Sequence, residues 1–285
     1  MTGNEPVPAA DAGIREDVPT SARSYGWALG GKDNYEVDRQ AMLMALQTFP
    51  ESVDIARENR RFLYRAVRYL ARDVGIRQFI DMGCGLPTDN NVHQVAQAFA
   101  PDASVVYVDI DPVVLAHGRA LLADNERTAV IQADLRDPEA VLAHPQTRRL
   151  IDFDRPVAVL FLSVVHHLLD DDDPRRVLRT IIDRAVPGSY LALSQVVSDD
   201  PDKGAELSEM ILNAGVPWQT RTPDQLTAFL DGLEPVDPGV VELSAWRPDP
   251  DQPELAPVDE PLQPYLGASK INRRVYQCGG VLRRP

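Results

Sequence analysis

The sequence predicts an α/β protein with a doubly wound, mostly parallel sheet of seven strands, preceded by a helical extension at the N-terminus. Three observations support this fold. Short apolar runs alternate with segments of helical periodicity about five times between residues 77 and 200. The run at 157–164 is apolar almost throughout, as in a strand buried on both faces of a parallel sheet. Several runs end in a polar residue, and in such sheets ligands bind at the carboxyl ends of the strands.

The composition is that of an ordinary globular protein with a strongly acidic charge. Of the 285 residues, 44% are hydrophobic and 25% are charged, and the formal net charge is −14. An acidic field repels nucleic-acid backbones, so a nucleic-acid substrate is disfavoured. Two cysteines, Cys84 and Cys278, fit a reducing compartment better than a disulfide framework. We therefore expect a cytoplasmic protein without a membrane segment, with a homodimer among the candidate oligomeric states.

The N-terminal quarter is predicted to be a tail followed by a helical cap. Residues 1–20 are polar and aperiodic, which favours a disordered or loosely held tail. Within 21–75, two helices are predicted at 36–48 and 53–74. The segment before them is rich in Tyr, Trp, Gly and Lys. It is interpreted either as a structural cap or as a lid over a ligand, to which Tyr25, Lys32 or Asn34 would contribute a contact.

The second of these helices has an apolar stripe and an opposite face rich in arginine. Charged faces of this kind are usually solvated. Asn59 and Arg60 are the expected exceptions, because their helix leads into the first strand and can bring them near its ligand-binding end. A guanidinium also matches the geometry of a carboxylate, so Arg60 is a candidate for binding one.

The main domain, predicted for 76–285, begins with a strand, a glycine turn and a helix. The strand is expected at 78–80, and the chain then turns through Gly83 and Gly85 before helical spacing begins near residue 91. Glycine allows a ligand to approach the backbone closely, and the start of the helix offers free N–H groups. This arrangement is typical of a nucleotide-binding crossover.

The spacing of this turn differs from the dinucleotide-binding fingerprint. The third glycine of G-x-G-x-x-G is absent, because Thr88 stands at that position. Instead, Asp81 lies at the end of the strand, followed by Gly83 and Gly85. A carboxylate in this place favours a ligand with a positive charge over one with phosphates.

The next two strands also end in acids. The second strand, 104–108, ends at Asp109, roughly 20 residues beyond the turn, where an acid accepts hydrogen bonds from ribose hydroxyls. The third strand, 130–133, ends at Asp134 and Leu135. Asp134 is interpreted either as an acceptor for the exocyclic amine of an adenine or as a helix cap.

The fourth strand, 157–164, leads to a pair of histidines. His166 is a candidate general base, because an ordinary imidazole titrates near neutral pH, and a buried structural histidine is the alternative. A metal site formed by His166, His167 and Asp170 is disfavoured, because adjacent residues on a strand point to opposite faces. No metal is expected.

The last third of the chain is predicted to close the sheet. A fifth strand at 189–197 precedes helices at 202–213 and 223–229. Two late strands, at 240–245 and 274–282, suit an antiparallel edge and bring the sheet to seven strands.

The glycine turn and the strand-end acids resemble the motifs of class I S-adenosylmethionine (SAM) methyltransferases, over about 77–200. A wider resemblance is carried by Ser21-Ala-Arg-Ser-Tyr25, Leu29-Gly-Gly-Lys-Asp-Asn34, Glu58-Asn-Arg60, Gly85-Leu-Pro-Thr88, Val106-Tyr-Val-Asp109 and Ala133-Asp-Leu-Arg-Asp-Pro138. With these segments the chain resembles, over 21–247, the actinobacterial SAM methyltransferase family once catalogued as a domain of unknown function (DUF574, Methyltransf_19). Cys84 is a departure, since this family more often has Thr there.

This resemblance implies a Rossmann-like fold that binds SAM and transfers its methyl group. We expect the methionine end of SAM at the glycine turn, the ribose at Asp109 and the adenine at Asp134 and Leu135. The fourth strand lacks the sequences typical of DNA methyltransferases, so the predicted acceptor is a small molecule. Two other classes stay open: a SAM-binding regulatory protein without turnover, and a nucleotide-dependent oxidoreductase, against which the missing third glycine speaks.

Overall fold

The computed structural model describes residues 16–121, 125–271 and 273–285. Its centre is a single mixed sheet. The strands, in chain order, are β1 Gln78–Met82, β2 Ser104–Asp109, β3 Thr128–Gln132, β4 Ala158–Leu162, β5 Tyr190–Val197, β6 Glu234–Pro235, β7 Val241–Glu242 and β8 Tyr276–Arg283.

The order of the strands confirms the doubly wound, mostly parallel sheet. It runs β3-β2-β1-β4-β5-β8-β6, with β7 paired to β8. Strands β1 to β5 are mutually parallel, and β8 runs antiparallel to β5. The strand order reverses direction at β1 and β4, so the crevice for a ligand lies at their carboxyl ends.

The described sheet has eight strands rather than seven, because the short strand β6 at Glu234–Pro235 was not predicted. The predicted strand at 240–245 is wrong in extent. Only Val241–Glu242 pairs with β8, and the chain then enters a 3-10 turn at Leu243–Ala245. This turn buries Leu243 and the following Trp246 in the core instead of continuing the ladder.

Most of the helices agree with the sequence periodicity, although no bounds were predicted for the helix at Ser21–Ala28 or for the two short helices between β3 and β4. The predicted helix 53–74 is α-helical over Ser52–Arg68, continues as a π-helical turn at Tyr69–Val74, and stops at the left-handed Gly75. The helices are α1 Ser21–Ala28, α2 Glu36–Thr48, α3 Ser52–Arg68, α4 Val92–Phe99, α5 Pro112–Leu121, α6 Pro138–Ala143, α7 Pro145–Leu150, α8 Pro174–Arg184, α9 Pro201–Asn213 and α10 Pro223–Ala228.

Each face of the sheet is covered by its own apolar cluster. On β4, Leu160 belongs to the cluster that includes Phe62 of α3, whereas Phe161 belongs to the cluster with Ile181 of α8. Burial on both faces explains why β4 is apolar along its length.

The N-terminal helices pack firmly onto this body. Trp27 of α1 is buried in a cluster with Leu46 and with Leu262 from the C-terminal segment. The buried Arg23 donates to Asp38, with Nε and Oδ2 2.7 Å apart, which joins α1 to α2. Most of the predicted tail, residues 1–15, lies outside the described residues, and the domain boundaries at 20 and 75 stay predictions. Within the described part, no helix has both the length and the apolar character required to span a membrane.

Candidate cofactor site

The glycine turn lies at the carboxyl end of β1, between β2 and β4. Gly83 and Gly85 both have left-handed backbones, with φ of 73° and 65°. A Cβ on Gly83 would come within 2.5 Å of Cγ2 of Val164, so a side chain there would collide with the segment after β4. Around Gly85 there is open space, so that position requires glycine through its backbone conformation alone.

Asp81 is a buried carboxylate without a partner. It is 5% exposed, and no hydrogen-bond donor to its carboxylate exists within the part of the chain that the structure describes. Burial raises the pKa of Asp81 to about 7, Arg60 opposes this rise, and the nearby Asp109 adds to it. Such a carboxylate is stabilised when a cationic ligand group lies beside it.

Arg60 faces this region from α3 and is buried, not solvated. Its Nε donates to the carbonyl oxygen of Asp89 over 3.1 Å, and its Nη2 donates to the same oxygen and to Oδ1 of Asn91, the residue that caps α4. Burial lowers the pKa of Arg60. Arg60 and Asp81 influence each other electrostatically, but they do not form an ion pair.

The expectation that the rest of this arginine-rich face is solvated is wrong for two further residues. Arg57 and Arg65 are also buried. They donate to the carbonyl oxygens of Ala256 and Leu243, respectively, and so attach the C-terminal segment to α3. Sequence periodicity could not show this, because the segment that covers the face lies far along the chain.

Tyr25 and Asn59 meet in a hydrogen-bonded pair beside Asp81. Nδ2 of Asn59 donates to the Tyr25 hydroxyl over 2.8 Å, and that hydroxyl donates to the carbonyl oxygen of Ala56 over 3.2 Å. Oδ1 of Asn59 accepts a hydrogen bond from Oγ of Ser194, at 2.6 Å. Burial raises the pKa of the Tyr25 phenol, to which Asp81 also contributes.

Asp109 ends β2, as predicted, and ties the glycine turn to that strand. Its Oδ2 accepts from the N–H of Gly85, and its Oδ1 accepts from the N–H of Asp111, both at 2.9 Å. Burial raises the pKa of Asp109, although these N–H groups oppose the rise. The neighbouring Asp111 caps α5 by accepting from the N–H of Val113.

Asp134 and Leu135 differ from the acids of β1 and β2. Asp134 is half-buried, and its carboxylate pairs with the guanidinium of Arg136, with Oδ2 and Nη2 2.6 Å apart. This hydrogen bond lowers the pKa of Asp134. Asp137 rather than Asp134 caps the following helix. Leu135 packs against the apolar core.

The role of His166 as a general base stays a prediction, and the surroundings of the residue are those of a buried and packed side chain. The residue lies in a 3-10 turn, Val165–His167, and is 1% exposed. Its ring packs on Trp218, with centroids 3.8 Å apart, and its Nδ1 accepts from the N–H of Val196 at 3.4 Å. Burial, then His167 and Arg221, hold the pKa of His166 well below its ordinary value. These features favour a neutral packing role.

Two features of this edge were missed in the sequence. Ile110, directly after Asp109, is 56% exposed although it is a large apolar residue. Its position next to Asp109, the acid predicted to bind the ribose, could have indicated a role in ligand binding. Ser163, directly after β4, has a left-handed backbone with φ of 58°, which the sequence does not signal.

A separate cavity of about 950 Å³ lies at the other end of the sheet. It is lined by Gln78 and Ser104, which begin β1 and β2, and by arginines from the surrounding loops. Because ligands of this fold bind at the carboxyl ends of the strands, this cavity is distinct from the candidate cofactor site.

Comparison with known proteins places this geometry in a family. The family model described as S-adenosyl methyltransferase (Methyltransf_19) matches residues 8–282. A Thermobifida fusca crystal structure, described as a candidate methyltransferase, is 42% identical, with a TM-score of 0.81 and coverage of 94% of this chain and 95% of that chain. A DUF574 family protein from Streptomyces avermitilis is 35% identical, with a TM-score of 0.82 and coverage of 95% and 100%, respectively. A search of curated proteins found no match.

The fold and these matches define the class of SAM-dependent methyltransferases with a Rossmann-like domain. The chain belongs to the S-adenosyl methyltransferase family Methyltransf_19, as its motifs predicted. SAM is the cofactor of this family, and the buried, unpartnered Asp81 opposite the guanidinium of Arg60 fits the charged methionine end of SAM.

Proposed function

We propose that the protein is an active methyltransferase that transfers the methyl group of SAM to a small-molecule acceptor. The observation that carries this proposal is the buried carboxylate of Asp81, which lacks a donor at the ligand-binding end of β1 and has its pKa raised to about 7. A buried acid in this state is poised to receive a cation.

The methionine end of SAM supplies the charges that this site lacks. Its ammonium group would lie against Asp81, and its carboxylate would lie toward Arg60, whose guanidinium is already fixed by Asp89. Gly85 leaves the backbone open to the ligand, because the space in which a side chain would lie is empty, whereas Gly83 lets the turn pack against Val164. Tyr25 and Asn59 would border the same end of the cofactor.

The nucleoside would continue along β2 and β3. Asp109 retains lone pairs for the ribose hydroxyls after accepting from two backbone N–H groups. Ile110 offers an exposed apolar surface for the adenine ring. Asp134 can accept from the exocyclic amine of the adenine only in competition with Arg136.

When bound, SAM would supply the methyl group of its sulfonium. The acceptor would attack the methyl carbon in line with the C–S bond, and the sulfur would leave with the electron pair of that bond. The protein contributes by holding the acceptor in that line, and positioning alone can supply much of the rate enhancement. A neutral His166 whose Nδ1 already accepts from the N–H of Val196 is a poor proton acceptor. We therefore propose that transfer depends on positioning and not on a general base from this histidine.

The N-terminal segment supports a small acceptor. Ala22 of α1 packs against Leu86 and Val113, beside the glycine turn and α5. On the far side, Oγ of Ser21 lies 3.2 Å from Nε2 of His167. Helix α1 thus crosses the carboxyl edge of the sheet, and we propose that residues 21–75 form a cap that limits the size of the acceptor.

The net charge and the cysteines support two further parts of the proposal, namely that the substrate is not a nucleic acid and that the protein is cytoplasmic. The formal net charge of −14 disfavours a nucleic-acid substrate. Cys84 and Cys278 are free thiols, as expected for a cytoplasmic location. A homodimer stays a prediction.

Ligand-dependent melting tests the cofactor assignment. SAM and S-adenosylhomocysteine (SAH), each at about 100 times its Kd, should add ~2.7 kcal/mol of stability, which raises Tm by a few degrees. NADPH should have no effect. If neither SAM nor SAH raises Tm, the proposal is wrong. Conversion of SAM to SAH in the presence of candidate acceptors then separates an enzyme from a SAM-binding regulatory protein.

A further inference from the structure

The residue after β4 combines backbone strain with a polar side chain. Ser163 adopts a left-handed conformation with φ of 58°. A side chain makes this conformation unfavourable, and such strain is typical of functional positions. None of the cofactor contacts proposed above involves Ser163.

A chain of hydrogen bonds holds Ser163 in this conformation. Its N–H donates to Oγ of Ser194 over 2.7 Å and to the carbonyl oxygen of the same residue over 3.1 Å. Oγ of Ser194 in turn donates to Asn59, which donates to Tyr25. The position of Ser163 is therefore linked through β5 and α3 to the cap.

The side chain of Ser163 is oriented from β8. Nε2 of Gln277 donates to Oγ of Ser163 over 2.6 Å. Gln277 is 2% exposed, and its Oε1 has no partner in the described chain. Within that part of the chain, the side-chain amide of Gln277 therefore forms its hydrogen bond with Ser163. In either orientation of the amide, Oγ of Ser163 keeps a free lone pair. Ser163 is only half-buried, so it can be reached from the carboxyl edge.

The register of the sheet brings Ser163 beside the cofactor turn. Asp81 of β1 pairs with Leu160 of β4, so the chain beyond β4 runs alongside the glycine turn. The next residue, Val164, lies so close to Gly83 that a Cβ there would collide with it. Ser163 is therefore next to the turn that is proposed to hold the methionine end of SAM.

We propose that Ser163 positions the methyl acceptor, and that the acceptor is a small amine whose N–H donates to Oγ of Ser163. This inference rests on the proposed function. The N–H contact directs the nitrogen lone pair toward the methyl carbon; the new C–N bond forms as the C–S bond breaks and its electron pair goes to sulfur. The amine then releases a proton to water, so no protein base is required.

The charge around the site favours this class of acceptor. The formal net charge of −14 raises the local concentration of cationic amines, which release a proton to water before the neutral amine attacks the methyl carbon. A carboxylate acceptor would approach against the same field.

Sinefungin is a probe for this contact, because it carries an amine where SAM carries its methyl sulfonium. SAM has the same positive charge in that place but no N–H group. We expect Ser163→Ala to weaken sinefungin binding about tenfold in titration calorimetry and to change the Kd values of SAM and SAH less than twofold. Ser163→Gly removes the same hydroxyl and relieves the left-handed strain, so it should give the same result in a well-folded protein.

Ser189→Ala is the matched control, since Ser189 is a buried serine whose Oγ accepts from the N–H of Val157 at the opposite end of the sheet. It should leave all three affinities unchanged. Equal losses for sinefungin and SAM in the Ser163 variants, or no loss for either, would overturn the role of Ser163. Failure of the unchanged protein to bind SAH would instead overturn the proposed function itself.

Discussion

Asp81, near the end of β1, and Asp134, just after β3, lie at the same carboxyl edge of the sheet, yet they differ in physical state. Asp81 is buried and unpartnered, and burial raises its pKa to about 7. Asp134 is half-buried, and its hydrogen bond with Arg136 holds its pKa below the usual range. An acid after a strand thus indicates where a ligand-binding edge lies, whereas the environment decides how that acid can act.

The largest expected effect of this difference is on cofactor affinity. Asp81→Asn should weaken SAM binding about 100-fold, because it removes a charge-assisted contact inside a buried site. Asp134→Asn should weaken binding less than about fivefold, since Arg136 already occupies that carboxylate. Titration calorimetry with SAM measures both changes, and equal losses would remove the distinction drawn between the two acids.

The second largest expected effect is on the free energy of unfolding of the protein without ligand, which should depend on pH through Asp81. An acid whose pKa is raised on folding favours its neutral form in the folded state, so it lowers the free energy of unfolding as pH rises. For Asp81 this loss begins near the ordinary pKa of 3.8 and is complete above about pH 7. Asp81→Asn should therefore match the unchanged protein near pH 4 and become more stable by roughly 1.4 kcal/mol per pH unit across that window.

Urea unfolding of the two proteins at several pH values measures this difference. Asp134→Asn is the control, and it should not gain stability as pH rises, because the pKa of Asp134 is lowered and not raised. A constant difference between the Asp81 variant and the unchanged protein from pH 4 to pH 8 would show that Asp81 is charged and stabilised without ligand.

The smallest expected effect is a change in SAM affinity when Arg136, the ion-pair partner of Asp134, is replaced. Arg136→Ala frees the carboxylate to accept from the adenine amine, and we expect SAM affinity to rise by no more than about threefold. Arg179→Ala is the matched control, because it breaks an ion pair of similar length with Asp183 on α8, far from the carboxyl edge. A tenfold loss of SAM affinity for Arg136→Ala would instead make Arg136 a cofactor-binding residue.

Local sequence patterns sufficed to predict strands β1 to β5, their alternation with helices, and the acids at the ends of the first three strands. These features depend on local patterns: an apolar run for β4, a glycine turn after β1, and caps such as Asp111 and Asp137 within three residues of the N–H groups they accept from. The strands late in the chain were harder to predict from sequence. The strand Val241–Glu242 has only two residues, and Trp246 enters the core shortly after it.

The pairing and burial of these residues depend on contacts between parts of the chain that are far apart in sequence. Gln277 reaches Ser163 across 114 positions of sequence, and Arg65 reaches Leu243 across 178. Burial likewise left Asp81 with a raised pKa and His166 with a lowered one, although both ordinary side chains would be charged or titrating near neutral pH. The charge state of a side chain depends on its solvation and on its neighbours in three dimensions. Neither the solvation nor the neighbours can be inferred from a local sequence pattern.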